Sequence, residues 1–222
     1  MPVRGMNRAR LREHIRKYSP VYIVGCIVCM LLTNILYTST RYQVPYEKEF
    51  LVYLLDSYTN IEPLEEIRED ALQYGQSIDD TLEAVVFESI LYSDPAEDYT
   101  SSYLLMARAA LGNGDIYIAS SIGAQSLFSM GLAKPLEEAL DSGWMEGLGL
   151  EPVMCENEET GETFIGGLSL DHLHALLDLG VMNNEGAVLV VASNSGNEET
   201  SMAVIEHIVQ ALEELENAPA EG

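Results

Sequence analysis

The chain has 222 residues, 47% of them hydrophobic and 21% charged, and sets 11 Lys+Arg against 36 Asp+Glu for a formal charge of −25. That length leaves no room for a large multidomain enzyme, and the composition is that of a chain able to bury a core. A surface this acidic repels phosphate backbones, which excludes nucleic acid as a partner.

The charge is unevenly divided. Residues 1–41 hold seven bases (Arg4, Arg8, Arg10, Arg12, Arg16, Lys17, Arg41) and one acid, Glu13, a net of +6; residues 42–222 hold four bases and 35 acids, a net of −31. Between Tyr18 and Thr40 there is no charged side chain. About 19 helical residues at ~1.5 Å each span ~28 Å, close to the ~30 Å hydrocarbon core of a bilayer. Residues 1–17 therefore read as a basic cytoplasmic segment and 18–40 as a transmembrane helix in contact with the lipid bilayer. Bases flanking a span are retained in the cytoplasm, so the acidic remainder is expected outside. A cleaved signal peptide fits less well, because its apolar region is shorter and ends in small residues. Ile23-Val24-Gly25-Cys26 resembles a lipobox, but most of the apolar run follows Cys26 rather than preceding it. Asn34 reads as a tolerated polar residue near the outer end. Cys26 and Cys29 lie inside the span and only Cys155 outside it, so no disulfide is expected within the ectodomain.

Residues 41–49 contain Pro45 and read as a tether, 50–215 as an α/β domain and 216–222 as a disordered tail. Phe50 to Leu55 is an apolar run expected to be a strand, and Leu64, Ile67, Ala71 and Tyr74 recur at helical spacing. Residues 81–92 are rich in β-branched and aromatic side chains and close at Ser93-Asp94-Pro95; a strand is preferred, with a helix as the alternative. Tyr99 to Leu111 reads as a helix stopped by Gly112-Asn113-Gly114, 115–121 as a short strand, and Ala124 to Met130 as a helix ending at Gly131. Leu136 to Leu140 reads as an acidic amphipathic turn. In the glycine- and acid-rich middle, 142–163, Trp144 reads as lying in a glycine-rich loop, and Leu168 to Gly180 reads as a helix. Residues 186–192 are continuously apolar, as a strand buried on both faces should be, and the turn Ser193 to Asn197 leads into a final amphipathic helix with Met202, Ile205, Val209 and Leu212 on one side. This alternation predicts a mostly parallel sheet covered by helices.

The run Tyr103 to Ala119, with Gly114-Asp115-Ile116-Tyr117-Ile118 at its end, is followed by Gly131-Leu132-Ala133-Lys134-Pro135-Leu136. Together with the closing strand Val188 to Ala192, Ser193-Asn194-Ser195 and the helix after it, this order resembles the extracellular solute-binding proteins of bacterial ABC importers over roughly residues 80–215. The resemblance implies a type II periplasmic-binding-protein-like domain at the cell surface. The stretch from Leu140 to Gly186 is too short for a full second lobe, so the expected form is a shortened, membrane-anchored one. It implies a small-molecule ligand, and a membrane transporter or a homo-oligomer as partner.

In such folds ligands gather at the carboxyl ends of parallel strands. Ser120, Ser121 and Gln125 are the ligand-contact candidates there, each also readable as helix cap or exposed turn. Ser193, Asn194 and Ser195 occupy what reads as an equivalent strand-to-helix turn, where capping the last helix is the competing role. Trp144, the single tryptophan, is a candidate to stack on a ligand or to pack in a loop.

Enzyme chemistry finds no footing. His172 and His174 fall on different sides of the expected helix, the acidic loop 156–162 lacks the ordered spacing of a calcium loop, and neither G-x-S-x-G nor a phosphate-binding glycine loop occurs. No catalytic residue, metal or cofactor is assigned. A non-catalytic interaction domain that keeps the fold without a pocket is the alternative function.

Overall fold

The computed structural model describes residues 8–42, 44–93, 99–111, 114–140, 142–156, 161–182, 186–195 and 198–217. The chain divides into two units, Met1–Gln43 and Val44–Gly222. The first is one helix, α1 (Arg8–Thr40), of 33 residues with Pro20 inside it. Its apolar side chains face outward; Val21, Ile27, Met30 and Leu36 are each more than half exposed. It is long and apolar enough to cross a membrane. At its C-terminal end the hydroxyls of Thr38, Ser39 and Thr40 donate to the carbonyls of Asn34, Ile35 and Leu36 (2.9, 2.7 and 2.6 Å). These local bonds give the carbonyls of the last turns side-chain partners.

The second unit is built on one six-stranded sheet flanked by helices. Its strands are β1 (Glu49–Asp56), β2 (Ala84–Leu91), β3 (Ile116–Ala119), β4 (Glu151–Glu156), β5 (Thr163–Ser169) and β6 (Val188–Val191), in the order β2-β1-β3-β6-β5-β4. The 81–92 segment is thus a strand: β2 pairs in parallel with β1 from Glu49↔Ala84 to Asp56↔Leu91. β1 also pairs in parallel with β3, and both the 50–55 and 115–121 segments form strands as expected.

Alternation along β1 divides the core. Phe50, Val52 and Leu54 point into one hydrophobic layer, and Leu51, Tyr53 and Leu55 into the other. The first layer is covered by α2 (Arg68–Gln76), the short α6 (Ala175–Asp178) and α7 (Glu198–Asn217). Val204, Ile205, Ile208, Val209 and Leu212 of α7 are fully buried there. α3 (Tyr99–Ala110) and α4 (Ser121–Ser129) supply Leu105, Ala124 and Leu127 to the second layer.

Three expectations are corrected. The sheet is mixed rather than mostly parallel, because β6 runs antiparallel to β3, β5 to β6, and β4 to β5. Trp144 does not lie in a loop: the 142–163 stretch holds α5 (Ser142–Gly147), which carries it, then β4 and the start of β5. β4 is an edge strand with a largely exposed face and a register shift between Val153 and Met154, so it carries no apolar alternation to read. Leu168–Gly180 is not one helix. Leu168 and Ser169 end β5 and only one helical turn, α6, follows. Gly167 explains this: a Cβ there would meet the Leu189 carbonyl at 2.8 Å, so the glycine lets β5 lie directly against β6. Gly112, Asn113, the Asp94-Pro95 turn signal, residues 157–160 of the acidic loop, Gly196, Asn197 and the tail from 218 lie outside the described residues.

Candidate functional site

β1 and β3 are parallel neighbours whose chains leave the sheet toward opposite faces. After β1 the chain passes to α2 on the first layer; after β3 it passes to α4 on the second. In open α/β sheets a divergence of this kind leaves a crevice at the carboxyl edge, and ligands are taken there.

Asp56 ends β1 and is only 5% exposed. Its Oδ1 accepts the Ser57 amide at 2.6 Å and the Ser57 hydroxyl at 3.3 Å. Beside it the Ser120 amide donates to the Leu55 carbonyl (2.8 Å). Ser120 is extended (φ −60°, ψ 164°) and caps α4, its Oγ accepting the Gly123 amide at 3.3 Å. Gly123 lets the first turn of α4 press on β1, since a Cβ there would stand 3.4 Å from the Leu55 carbonyl. Ser121 and Gln125 are exposed on α4. Opposite them, Gly186 holds a positive φ of 88°, and a Cβ on it would lie 3.8 Å from the Ser121 Cβ and 3.7 Å from Asp171 Oδ1. The loop after β1 is held to residues 181–182 by the Asn60 amide on the Val181 carbonyl and a Thr59–Met182 bridge. Thr59 Oγ1 is buried with no hydrogen-bond partner among the described residues.

The carboxyl edge of β1 and β3 thus carries the carboxylates of Asp56 and Asp171, the hydroxyls of Ser57, Ser120 and Ser121, and the partial positive charge of the α4 N-terminus. Lys48, Arg68 and Arg108 are paired elsewhere, with Glu83, Glu65 and Glu88. That donor and acceptor set suits a neutral or cationic polar ligand better than an anion.

Ser193, Asn194 and Ser195 do not share this edge. Because β6 is antiparallel to β3, with Val191 opposite Ile116, the turn after β6 lies at the amino end of β3, the far end of the sheet from Ser120. There the Ser193 hydroxyl donates to the Gly131 carbonyl (3.1 Å) and Asn194 Nδ2 to the Ala109 carbonyl (3.1 Å). Ser195 Oγ donates to Asp115 Oδ1 at 3.1 Å. Asp115 is a hub: its Oδ2 accepts the Leu51 amide (2.9 Å), its own amide donates to the Leu51 carbonyl (3.0 Å), and its carbonyl accepts the Ala192 amide (2.9 Å). Burial pushes its carboxyl pKa up, against the lowering effect of the Leu51 and Ser195 hydrogen bonds. This clasp ties β1, β3 and the end of β6 together; Asp115 and Ser195 each lie in a stretch singled out in the sequence, but neither stretch alone shows that they pair.

Next to the clasp, Tyr53 and Tyr117 stack at 5.5 Å. Burial drives the Tyr117 phenol up to about 12, helped by Tyr53 and Asp115. Arg108 lies 3.1 Å from Glu88 and 3.4 Å from the Tyr53 hydroxyl, bracing α3 on the sheet.

Trp144 sits on α5, partly buried against the first layer, with Nε1 donating to Glu206 of α7 at 3.3 Å. Ser120 belongs to an element of the second layer, so the two do not converge. The three histidines of the second unit stand apart. His172 is 3.8 Å from Glu213, His174 precedes α6, and His207 stacks on Tyr74 at 4.3 Å. Among the described residues no cluster of three or more metal-ligating side chains occurs. An opening of about 1140 Å³ lies between the end of α4 and the β4–β5 hairpin, lined by Phe128, Phe164, Glu137, Glu156 and Glu162 among others. None of the sequence candidates borders it, because the hairpin that forms its wall had no legible pattern.

No family model, curated protein or solved structure matches the chain. What stands is a mixed α/β unit on one six-stranded sheet, preceded by a single apolar helix of membrane-spanning length.

Proposed function

We propose that this chain is a single-pass, membrane-anchored solute-binding-like module, amino terminus cytoplasmic and α/β unit extracytoplasmic, with its ligand at the carboxyl edge of β1 and β3. The observation that carries the reading is the divergence of the chain at that edge, which brings Asp56, Ser57, Ser120, Ser121 and Asp171 around one crevice. The resemblance of residues 80–215 to solute-binding proteins of ABC importers points the same way, and the open face of Gln125 extends the contact surface. The ligand class is a small neutral or cationic polyhydroxyl or amine compound, held without a closing second lobe.

The test is a thermal-shift screen of the full chain in detergent against sugars, amino acids, amines, peptides and divalent ions. A saturable shift that disappears in Asp56→Asn and Ser121→Val supports the reading. A flat response from a cooperatively folding protein, or a shift untouched by both variants, overturns it.

One observation favours the interaction reading. Tyr99, Tyr103 and Met106 recur on α3 at one-turn spacing and are 86%, 76% and 57% exposed. If that row is a contact surface, Tyr103→Glu converts an oligomer or complex seen by light scattering into a monomer; a wild-type chain that is already monomeric and partner-free refutes this second reading.

A further inference from the structure

We infer that the inner end of α1 is a collar for anionic lipid headgroups, an inference that rests on the reading of α1 as a membrane anchor. α1 continues as helix well before its apolar part, from Arg8 through Lys17, and that segment carries Arg8, Arg10, Arg12, Arg16 and Lys17 against the single acid Glu13. The side chains of Arg12, Arg16 and Lys17 are exposed and make no ion pair among the described residues, Glu13 included. Lys17 does rest near the Tyr18 ring, 5.7 Å from its centroid.

Helix geometry sets their depth. At ~1.5 Å per residue, Lys17 and Arg16 stand about 1.5 and 3 Å outside Tyr18, where the uncharged stretch begins, and Arg12 about 9 Å outside it. The headgroup layer on each side of the hydrocarbon is roughly 5–8 Å deep, and a surface charge is felt over a Debye length of about 8–10 Å. Arg16 and Lys17 therefore lie within the phosphate layer and Arg12 at its edge.

Tyr18 and Tyr22 hold this register. Their rings lie one turn apart with His14, which packs against Tyr18 at 4.6 Å with the rings inclined at 43° and shares a 2.8 Å hydrogen bond with the Tyr22 hydroxyl. Aromatic rings with polar tips settle at the headgroup level. Unpaired cations fixed in a layer of phosphates take their counter-ions from it, and a lipid with net negative charge supplies one that a zwitterionic lipid does not.

The test uses the full chain purified in mixed micelles containing equal phosphatidylcholine and phosphatidylglycerol, with the retained lipids quantified by mass spectrometry at about 150 mM salt. The expected result is a phosphatidylglycerol preference of about threefold or more, given that one basic side chain near an anionic surface is worth about a fivefold factor. The preference should fall to parity in Arg12→Gln/Arg16→Gln/Lys17→Gln and persist in Arg12→Lys/Arg16→Lys. Parity in the wild type, or an unchanged preference in the glutamine variant, overturns the inference. So does loss of the bound lipid to inorganic phosphate but not to chloride at equal ionic strength, which would make this a site for phosphate at large. Alkaline extraction of vesicles holding the same protein separates the two levels. Release of the chain overturns the anchor reading and this inference with it, whereas retention of a chain that shows no lipid preference overturns the lipid inference alone.

Discussion

Replacing Asp115 by alanine tests the clasp that joins β1, β3 and β6. Its carboxylate accepts two hydrogen bonds, from the Leu51 amide at 2.9 Å and the Ser195 hydroxyl at 3.1 Å. Truncation strands the Leu51 amide inside the sheet, and an unsatisfied buried donor costs about 1–3 kcal/mol, with a further ~1 kcal/mol for the second bond. Against this stands the relief of a buried charge whose pKa burial has raised. The net expectation is a loss of about 2–3 kcal/mol, or roughly 4–12 °C in Tm for a unit of this size. Asp115→Asn is the informative partner: its carbonyl accepts the Leu51 amide, its NH2 donates to the Ser195 oxygen, and no charge is buried, so it should stay within about 1 kcal/mol of wild type. Because the folded carboxyl takes its proton at a higher pH than the unfolded one, the charge penalty is present at neutral pH and fades as pH falls through the folded pKa. The wild type should accordingly gain on Asp115→Asn as the solution is acidified. The assay is urea unfolding of the full chain in detergent, followed by fluorescence of the single tryptophan, Trp144, with the slope checked for constancy. An alanine variant within about 0.5 kcal/mol of wild type, or an asparagine variant as weak as alanine, would refute the clasp as argued.

Two further expectations follow from the packing. Tyr117, held at about 12 when folded against about 10 unfolded, stays neutral in the native state while the unfolded chain ionises, so stability should drop by up to about 3 kcal/mol between pH 10 and 12; Tyr117→Phe should lack that drop in alkaline unfolding curves, and an identical alkaline slope would contradict it. Gly167→Ala would drive a Cβ into the Leu189 carbonyl at 2.8 Å and into Val188 Cγ1 at the same distance, at a cost of about 1–3 kcal/mol by thermal melting, and a neutral melt would mean that β5 is not pressed on β6 as described.

The parts legible in the sequence are those whose signal is local. The uncharged run from Tyr18 to Thr40 reads as a long apolar helix, and the apolar stretches at 50–55 and 188–191, buried along their whole length, read as strands. α7 declares itself through one apolar side, and Ser120 through its place between a strand and a helix, where it caps α4.

Tertiary structure alone decided strand direction, and with it which candidates share a site. Nothing in Val188-Leu189-Val190-Val191 says that this strand runs against Ile116–Ala119, because a fully buried strand reads the same in either direction. That one choice sends Ser193–Ser195 to the opposite end of the sheet from Ser120, joins Ser195 to Asp115, and leaves the carboxyl edge of β1 and β3 to Asp56, Ser57, Ser121 and Asp171. The edge hairpin stayed hidden for the converse reason: β4 is mostly exposed, so its pairing is held by backbone hydrogen bonds and by the space left at Gly166 and Gly167, neither of which writes an apolar period into the chain.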